Sequence, residues 1–449
     1  MSDETRVAER PGRLTGETSE GAQELTRRAV TASAQLGREV GAVLRVDGVT
    51  LDPRQVDYER HDDETMIINM GPAHPSTHGV LRLMLELDGE FVLRTKVVIG
   101  YLHTGMEKTG ETLSYVQGAT NVTRMDYLSP VINELSYSLA VEKLLGVQIP
   151  VRATWIRMMM SELNRVSSHL VWMATNGMDL GSTSMMIYGL RERELILAFF
   201  EKTAGLRLNL NYVRPGGVAA DLPDGWQDDI EVICNTIDER TYEYDQLLTG
   251  QPIFRNRLIG VGAITAEEAL ALGLTGPLLR STGVPWDLRR AMPYLAYDQV
   301  DFDVIVGTYG DNFDRYAIRL NEIRESLRII RQCVEKMPPG DYRSQDPKVT
   351  PPPRARIGES MEALIHHFKL FTEGFYVPAG EVYSAVESPR GEIGCYMVSD
   401  GGPKPYRIHV RAPSFSNLQA MPLLMRGASM SDAITMISTV DPVLGEVDR

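Results

Sequence analysis

TRMDYLSPVINELSYSLAVEKLLG, residues Thr123 to Gly146, joins a short polar loop to an apolar helix. Ser129-Pro130 predicts the helix start: a hydroxyl that can cap free N–H groups precedes a proline whose missing N–H costs nothing there. Ile132, Leu135 and Leu139 then follow at spacings of three and four, which puts them on one helical face. The loop before the helix, Arg124 to Ser129, carries Tyr127. A phenol is thus expected at the mouth of a helical core.

Composition bounds what such a phenol can serve. The chain has 449 residues, enough on length alone for about three domains. It is 43% apolar and 24% charged, as globular chains are. Its formal charge of −14, with no basic block, argues against nucleic acid. The 3 cysteines, Cys234, Cys333 and Cys395, stand far apart, which excludes a disulfide scaffold and any CxxC pair. A 4Fe–4S cluster usually takes four thiolates, so none is expected on this chain, and a reducing compartment is. No run of about 18 apolar residues exists to span a bilayer. No secretory h-region is seen, and Glu4, Glu9, Glu17 and Glu20 count against a transit peptide. Membrane association is therefore expected only through partners.

Four regions are expected along the chain. Residues 1–61 are polar and of mixed charge, and read as an extension. Residues 62–100 read as a β region. In it Leu81, Leu83, Leu85 and Leu87 alternate with polar neighbours, Asp88-Gly89 signals a hairpin turn, and Phe91, Leu93, Val97 and Ile99 return. The loop before the hairpin, Gly71 to Gly79, holds His74 and His78. Residues 101–375 read as a helical core, with one helix from Ile156 to a stop near Asn176-Gly177 and another about Met185–Leu210. Arg214 to Val218 is expected as a loop, and further helices about Gly225–Leu248, Ala266–Leu272, Asn312–Met337 and Gly358–Phe371. Residues 376–449 read as a C-terminal β region and tail, with strands at Val382–Glu387, Ile393–Ser399 and Tyr406–Val410 and a helix at Met430–Thr439.

Most motif-like stretches have a plain reading. His74 and His78 have metal-ligand spacing for a helix, but Pro72, Pro75 and Gly79 break one, and no zincin glutamate accompanies them. No metal site is expected there; a loop histidine offered to a ligand is the more interesting possibility. Gly260-Val261-Gly262-Ala263-Ile264-Thr265 lacks the third glycine of a dinucleotide fingerprint and reads as a turn into a capped helix. Met158 to Met160, Met185 and Met186 read as core filler, and His169 as a satisfied core histidine. Asp179, at an apolar helix end, reads first as a cap, with the partner of a histidine from another segment as the alternative.

Taken together, GPAHPSTHGVLRL, YLHTGMEK, RMDYLS, SELNRVSSHL, YVRPGGV, RAPSF and the terminal GEVDR resemble the D subunits of respiratory complex I, the proton-pumping NADH:quinone oxidoreductases. The resemblance runs from about Thr65 to Arg449. That family is similar to the large subunit of nickel–iron hydrogenases, which implies an α+β fold with a helical core flanked by N- and C-terminal β regions. Where hydrogenases hold their metal with two cysteine pairs, this chain has Asp126 and Ser129 in one loop and Val443 and Glu446 in the other. Such a set cannot replace soft thiolates for nickel.

The resemblance implies that the vacated pocket takes a quinone head group as substrate. Tyr127 matches the family's quinone-binding tyrosine, His78 its histidine partner, and Asp179 the acid that pairs with that histidine. A phenol and an imidazolium suit a quinone carbonyl, because both donate hydrogen bonds and can supply protons on reduction. Electrons are expected from the terminal 4Fe–4S cluster of an adjoining small subunit. NADH and flavin sites are expected on other subunits, with a quinone-channel membrane subunit as a further partner. The expected place is the cytoplasmic face of a bacterial plasma membrane, held there by partners. One departure stands out: Thr104 replaces the family's usual arginine in LHTGMEK, which puts any electrostatic role of that guanidinium in doubt. The rivals are a hydrogenase-like subunit, opposed by the missing cysteines, a scaffold whose pocket residues are fossils, and a relative fed by an electron donor other than NADH, since the donor is read by different subunits.

Overall fold

The computed structural model describes residues 65–71 and 79–449. His74, His78 and the 1–61 extension lie outside them. Strands β1 (Thr65–Met70), β2 (Arg82–Asp88) and β3 (Phe91–Val98) form an antiparallel sheet in that order. Asp88 faces Phe91 across the expected turn, with Gly89 at φ 57°. Side chains alternate across a strand, so Leu81, Leu83, Leu85 and Leu87 all enter one face. They pack with residues from the far end of the chain, among them Leu418, Met425, Ile437, Leu444 and Val447. The two ends of the described chain thus share one apolar core.

The larger core is helical. α1 (Met106–Thr112) and α2 (Tyr115–Val122) lead to the Tyr127 loop, and α3 (Pro130–Leu145) follows it. Pro130 is at the first turn, and Gly146 ends the helix at φ 68°. α4 (Val151–Asp179) and α5 (Thr183–Ala204) pack side by side. α4 stops at Asp179, close to the expected Asn176-Gly177, and Gly177 serves packing as well. A Cβ on it would lie 2.8 Å from Cβ of Met185. Gly189 of α5 answers it, since a Cβ there would lie 2.8 Å from the carbonyl oxygen of Leu170. α5 ends at Gly205, before the expected Leu210.

The segment expected as a loop at Arg214–Val218 is a tight hairpin of β4 (Val213–Arg214) and β5 (Gly217–Val218). Glu134 of α3 fastens its approach by accepting the backbone N–H groups of Asn211, Tyr212 and Val213 at 2.6, 2.8 and 2.8 Å. α6 (Trp226–Tyr244), α7 (Asn312–Lys336) and α8 (Met361–Thr372) stand close to their expected positions. The glycine turn at Gly260 leads, as expected, into a helix with a Thr265/Glu268 capping box. Met158, Met159, Met160 and Met185 are core residues. His169 is buried, with Nε2 2.8 Å from Glu322 Oε2 and no hydrogen-bond partner for Nδ1. Burial lowers its pKa against the pull of Glu322, so the neutral ring donates Nε2–H.

The C-terminal sheet is antiparallel, β6 (Gly380–Ser388), β7 (Gly391–Ser399) and β8 (Arg407–Arg411) in order. Buried charges weld it to the helices. Arg280 donates to Glu387 of β6 and Glu322 of α7, each at 2.6 Å, and Arg165 of α4 donates to the Glu387 carbonyl at 2.7 Å. This fixes the β6–β7 turn, which carries Arg390. Short helices α9 (Pro413–Leu418), α10 (Met430–Val440) and α11 (Leu444–Asp448) finish the chain. Among the described residues no helix is long and apolar enough to cross a membrane.

Replacing Gly189 by valine forces a branched side chain against the Leu170 carbonyl. Overpacking of this kind costs about 1–3 kcal/mol, so the thermal midpoint of the Gly189→Val chain falls. An unchanged midpoint in circular dichroism melting contradicts the close α4–α5 contact.

Candidate functional site

Asp126 sets the shape of the Tyr127 loop. Its Oδ1 accepts the backbone N–H of Leu128 at 3.0 Å and of Ser129 at 3.2 Å, which closes a local turn. The Ser129 hydroxyl donates to Asp126 Oδ2 instead of capping α3, the role that its place before Pro130 predicts. Asn164 of α4 grips both sides of the junction: its Oδ1 accepts Val131 N–H, and its Nδ2 donates to the Leu128 carbonyl, each at 3.1 Å.

Tyr127 points out of this frame. It keeps 43% of its surface exposed while Met125, Asp126 and Ser129 are buried. Desolvation, followed by the Asp126 charge, raises its pKa against the opposing pull of Arg390. The phenol therefore keeps its proton at neutral pH and presents an O–H donor.

Arg390 ties the loop to the end of the chain. Fully buried, it donates from Nη1 to Asp126 Oδ2 at 3.0 Å and to Ser168 Oγ of α4 at 2.7 Å. Its Nη2 lies 3.1 Å from Asp441 Oδ2. Asp441 sits in the left-handed region at φ 56°, at the end of α10. Beyond it, α11 lies directly on the loop. A Cβ on Gly445 would be 2.5 Å from the Met125 carbonyl oxygen and 3.5 Å from Tyr127 Cδ1, so only glycine allows this approach. The 124–129 and 441–446 segments, far apart in sequence, thus pack against one another. Glu446, in the second of them, is buried and accepts from Ser414 Oγ at 3.0 Å.

The last residues also hold the YLHTGMEK loop. Asp448 accepts the N–H groups of Gly100 and Leu102 at 2.8 and 2.7 Å, and His103 Nδ1 lies 2.7 Å from the Asp448 carbonyl. Thr104 is exposed in that loop.

Asp179 is the half-buried last residue of α4. It is no cap for that helix, because a helix C-terminus presents carbonyls that need donors, and a carboxylate there opposes the macrodipole. It lies eleven residues beyond Ser168, three turns and roughly 16 Å along the same helix face. His78 is outside the described residues, so the expected His78–Asp179 pair is not seen. Sequence reasoning missed Arg390, Ser168 and Asn164. The only local signal for Arg390 was its place beside a glycine turn.

Arg390→Gln leaves Asp126 and Asp441 buried without their shared cation. Breaking a buried ion pair from one side costs about 3–5 kcal/mol. The expected outcome is loss of the protein from assembled complex on native gels, and normal assembly contradicts the clamp.

The family described as respiratory-chain NADH dehydrogenase, 49 Kd subunit, matches residues 179–449. A Frankia casuarinae protein, named as the D subunit of NADH-quinone oxidoreductase, is 52% identical over 406 residues, covering 86% of this chain and 84% of that one. The D subunit of Acidothermus cellulolyticus is 53% identical over 409 residues, covering 87% of this chain and 93% of its own. A D subunit of Streptomyces avermitilis is 51% identical over 438 residues, covering 93% and 99%. With this likeness along most of its length, the chain belongs to the 49 kDa, or D-type, family of complex I subunits, those of the respiratory NADH-quinone oxidoreductases.

Proposed function

We propose that the Tyr127 pocket takes the head group of the quinone that the complex reduces. The observation that carries this reading is the half-exposed phenol on a loop clamped by buried charge: a rigid mount for a single donor. Tyr127 donates its O–H to a quinone carbonyl oxygen. Its raised pKa keeps that donor in place at neutral pH. His78 binds the other carbonyl, and Asp179 favours the charged imidazolium. The negative end of α4 adds to the pull of Asp179 on a cation.

Reduction to quinol takes up two electrons and two protons. The electrons come from NADH through the complex, the last carrier being a 4Fe–4S cluster on an adjoining small subunit. Tyr127 and His78 each give one proton to a quinone oxygen, and water beyond the pocket restores both. NADH and flavin bind other subunits, and the coupled proton translocation runs through the membrane arm. The pocket corresponds to the metal pocket of a hydrogenase large subunit. Asp126, Ser129, Val443 and Glu446 stand at the thiolate positions, and Arg390 supplies a fixed cation among them. The protein sits peripherally on the cytoplasmic face of a bacterial plasma membrane, beside a quinone-channel membrane subunit.

Tyr127→Phe keeps the ring against Gly445 and removes only the hydroxyl. Membranes carrying it are expected to lose at least about tenfold in NADH to quinone turnover, the loss of one positioned proton donor. NADH oxidation by an artificial acceptor that takes electrons upstream stays intact. Undiminished quinone turnover contradicts the reading.

A further inference from the structure

Beneath the Tyr127 loop the buried charges do not balance. Three buried carboxyls, those of Asp126, Asp441 and Glu446, act on the guanidinium of Arg390, and the one further buried cation acting on them, Arg319, reaches Asp441. Arg390 takes Asp126 at 3.0 Å and Asp441 at 3.1 Å. Glu446 is held only by Ser414, whose neutral hydroxyl and backbone N–H both donate to it, and its Oε1 has no geometric hydrogen-bond partner. A buried carboxylate with only neutral donors and no ion pair takes up a proton. Burial and then the Asp126 charge raise its pKa to about 8, against Arg390 and Ser414. On the other side, Nε and Nη2 of Arg390 lack hydrogen-bond partners, because the Asp441 contact is an ion pair without hydrogen-bond geometry. The guanidinium has donors to spare and the neutral acid has an acceptor to spare.

We propose that Glu446 is a positioning residue for Tyr127: protonated, it leaves Arg390 to Asp126, and once ionised it draws the guanidinium and loosens the loop that presents the phenol. The inference rests on the quinone reading of that loop. The groups facing Glu446 come from every element around it. Asp126 belongs to the loop, Arg390 to the β6–β7 turn and Ser414 to α9, and through Arg390 the set also includes Tyr127 of the loop and Asp441 at the end of α10. Arg319 of α7, over the Trp172 ring, feels Asp441 from behind. On its own helix Asp448 is engaged with Gly100 and Leu102, and Arg449 donates to the Val410 carbonyl.

The sign follows from the raised pKa. The neutral form prevails below about pH 8 and is lost as the pH rises through that value. The test uses membranes with the whole complex, NADH as donor and a short-chain quinone as acceptor. KM for quinone is measured from about pH 6.5 to 9.5, with the upstream artificial acceptor as control. In the unaltered complex KM is expected to rise about fivefold or more across pH 8. Glu446→Gln, neutral at every pH, is expected to abolish that rise, with the control unaffected. Ser414→Ala removes the hydroxyl's hydrogen bond to the carboxylate, leaves the backbone one, and moves the rise to higher pH, and it carries the test if glutamine prevents assembly. The same rise in Glu446→Gln, or an unmoved midpoint in Ser414→Ala, overturns the proposal. Tyr127→Phe in the same membranes separates the two ideas. Full quinone turnover in that variant defeats the quinone reading itself. An inactive Tyr127→Phe beside an unaltered pH rise in Glu446→Gln defeats only the role of Glu446.

Discussion

The buried guanidinium of Arg390 is the constraint on which the site depends. It joins four parts of the chain: the 124–129 loop through Asp126, α4 through Ser168, the β6–β7 turn that carries it, and the end of α10 through Asp441. A buried charge is costly unless it is paired, so the sheet, the helix and the chain end are held where their polar groups can meet it. The turn itself cannot drift, because Glu387, three residues before Arg390, is locked to Arg280 and Arg165. Gly445 then lets α11 close on the loop. Tyr127 remains exposed beside the buried Met125, Asp126 and Ser129.

A thiolate-bound metal would draw two loops together by bonding to both. Here electrostatics and packing do so. Asp126 and Asp441 are bridged by one cation, and Gly445 makes contact with Met125 and Tyr127. The difference matters chemically. A guanidinium cannot change redox state or open a coordination position. It holds its charge and its shape, which suits a wall that presents a donor to a substrate.

The sequence disclosed what local pattern controls. Alternating leucines and Asp88-Gly89 gave away the β2–β3 hairpin, and the threes and fours of Ile132, Leu135 and Leu139 gave away α3, because side-chain period follows backbone geometry. Gly177 marked the end of α4 closely, and Met185 packs across it. Ser129 misled because Asp126, three residues earlier, took its hydroxyl. Of the site, the meeting of the 124–129 and 441–446 segments followed from the family resemblance. The Arg390 bridge did not, since it spans 264 positions to Asp126 and no local spacing encodes it. Asp179 has two readings in the sequence, and its place at the C-terminal end of α4 removes the cap of that helix.

The most direct test of quinone at the Tyr127 loop is photolabelling of the whole complex with an azido-quinone, followed by peptide mapping of the labelled chains. The predicted result is label on the peptide spanning 123–129 or on the adjoining 441–449 segment, suppressed by excess natural quinone. Label that misses both segments while still competing with quinone contradicts a head group bound at Tyr127.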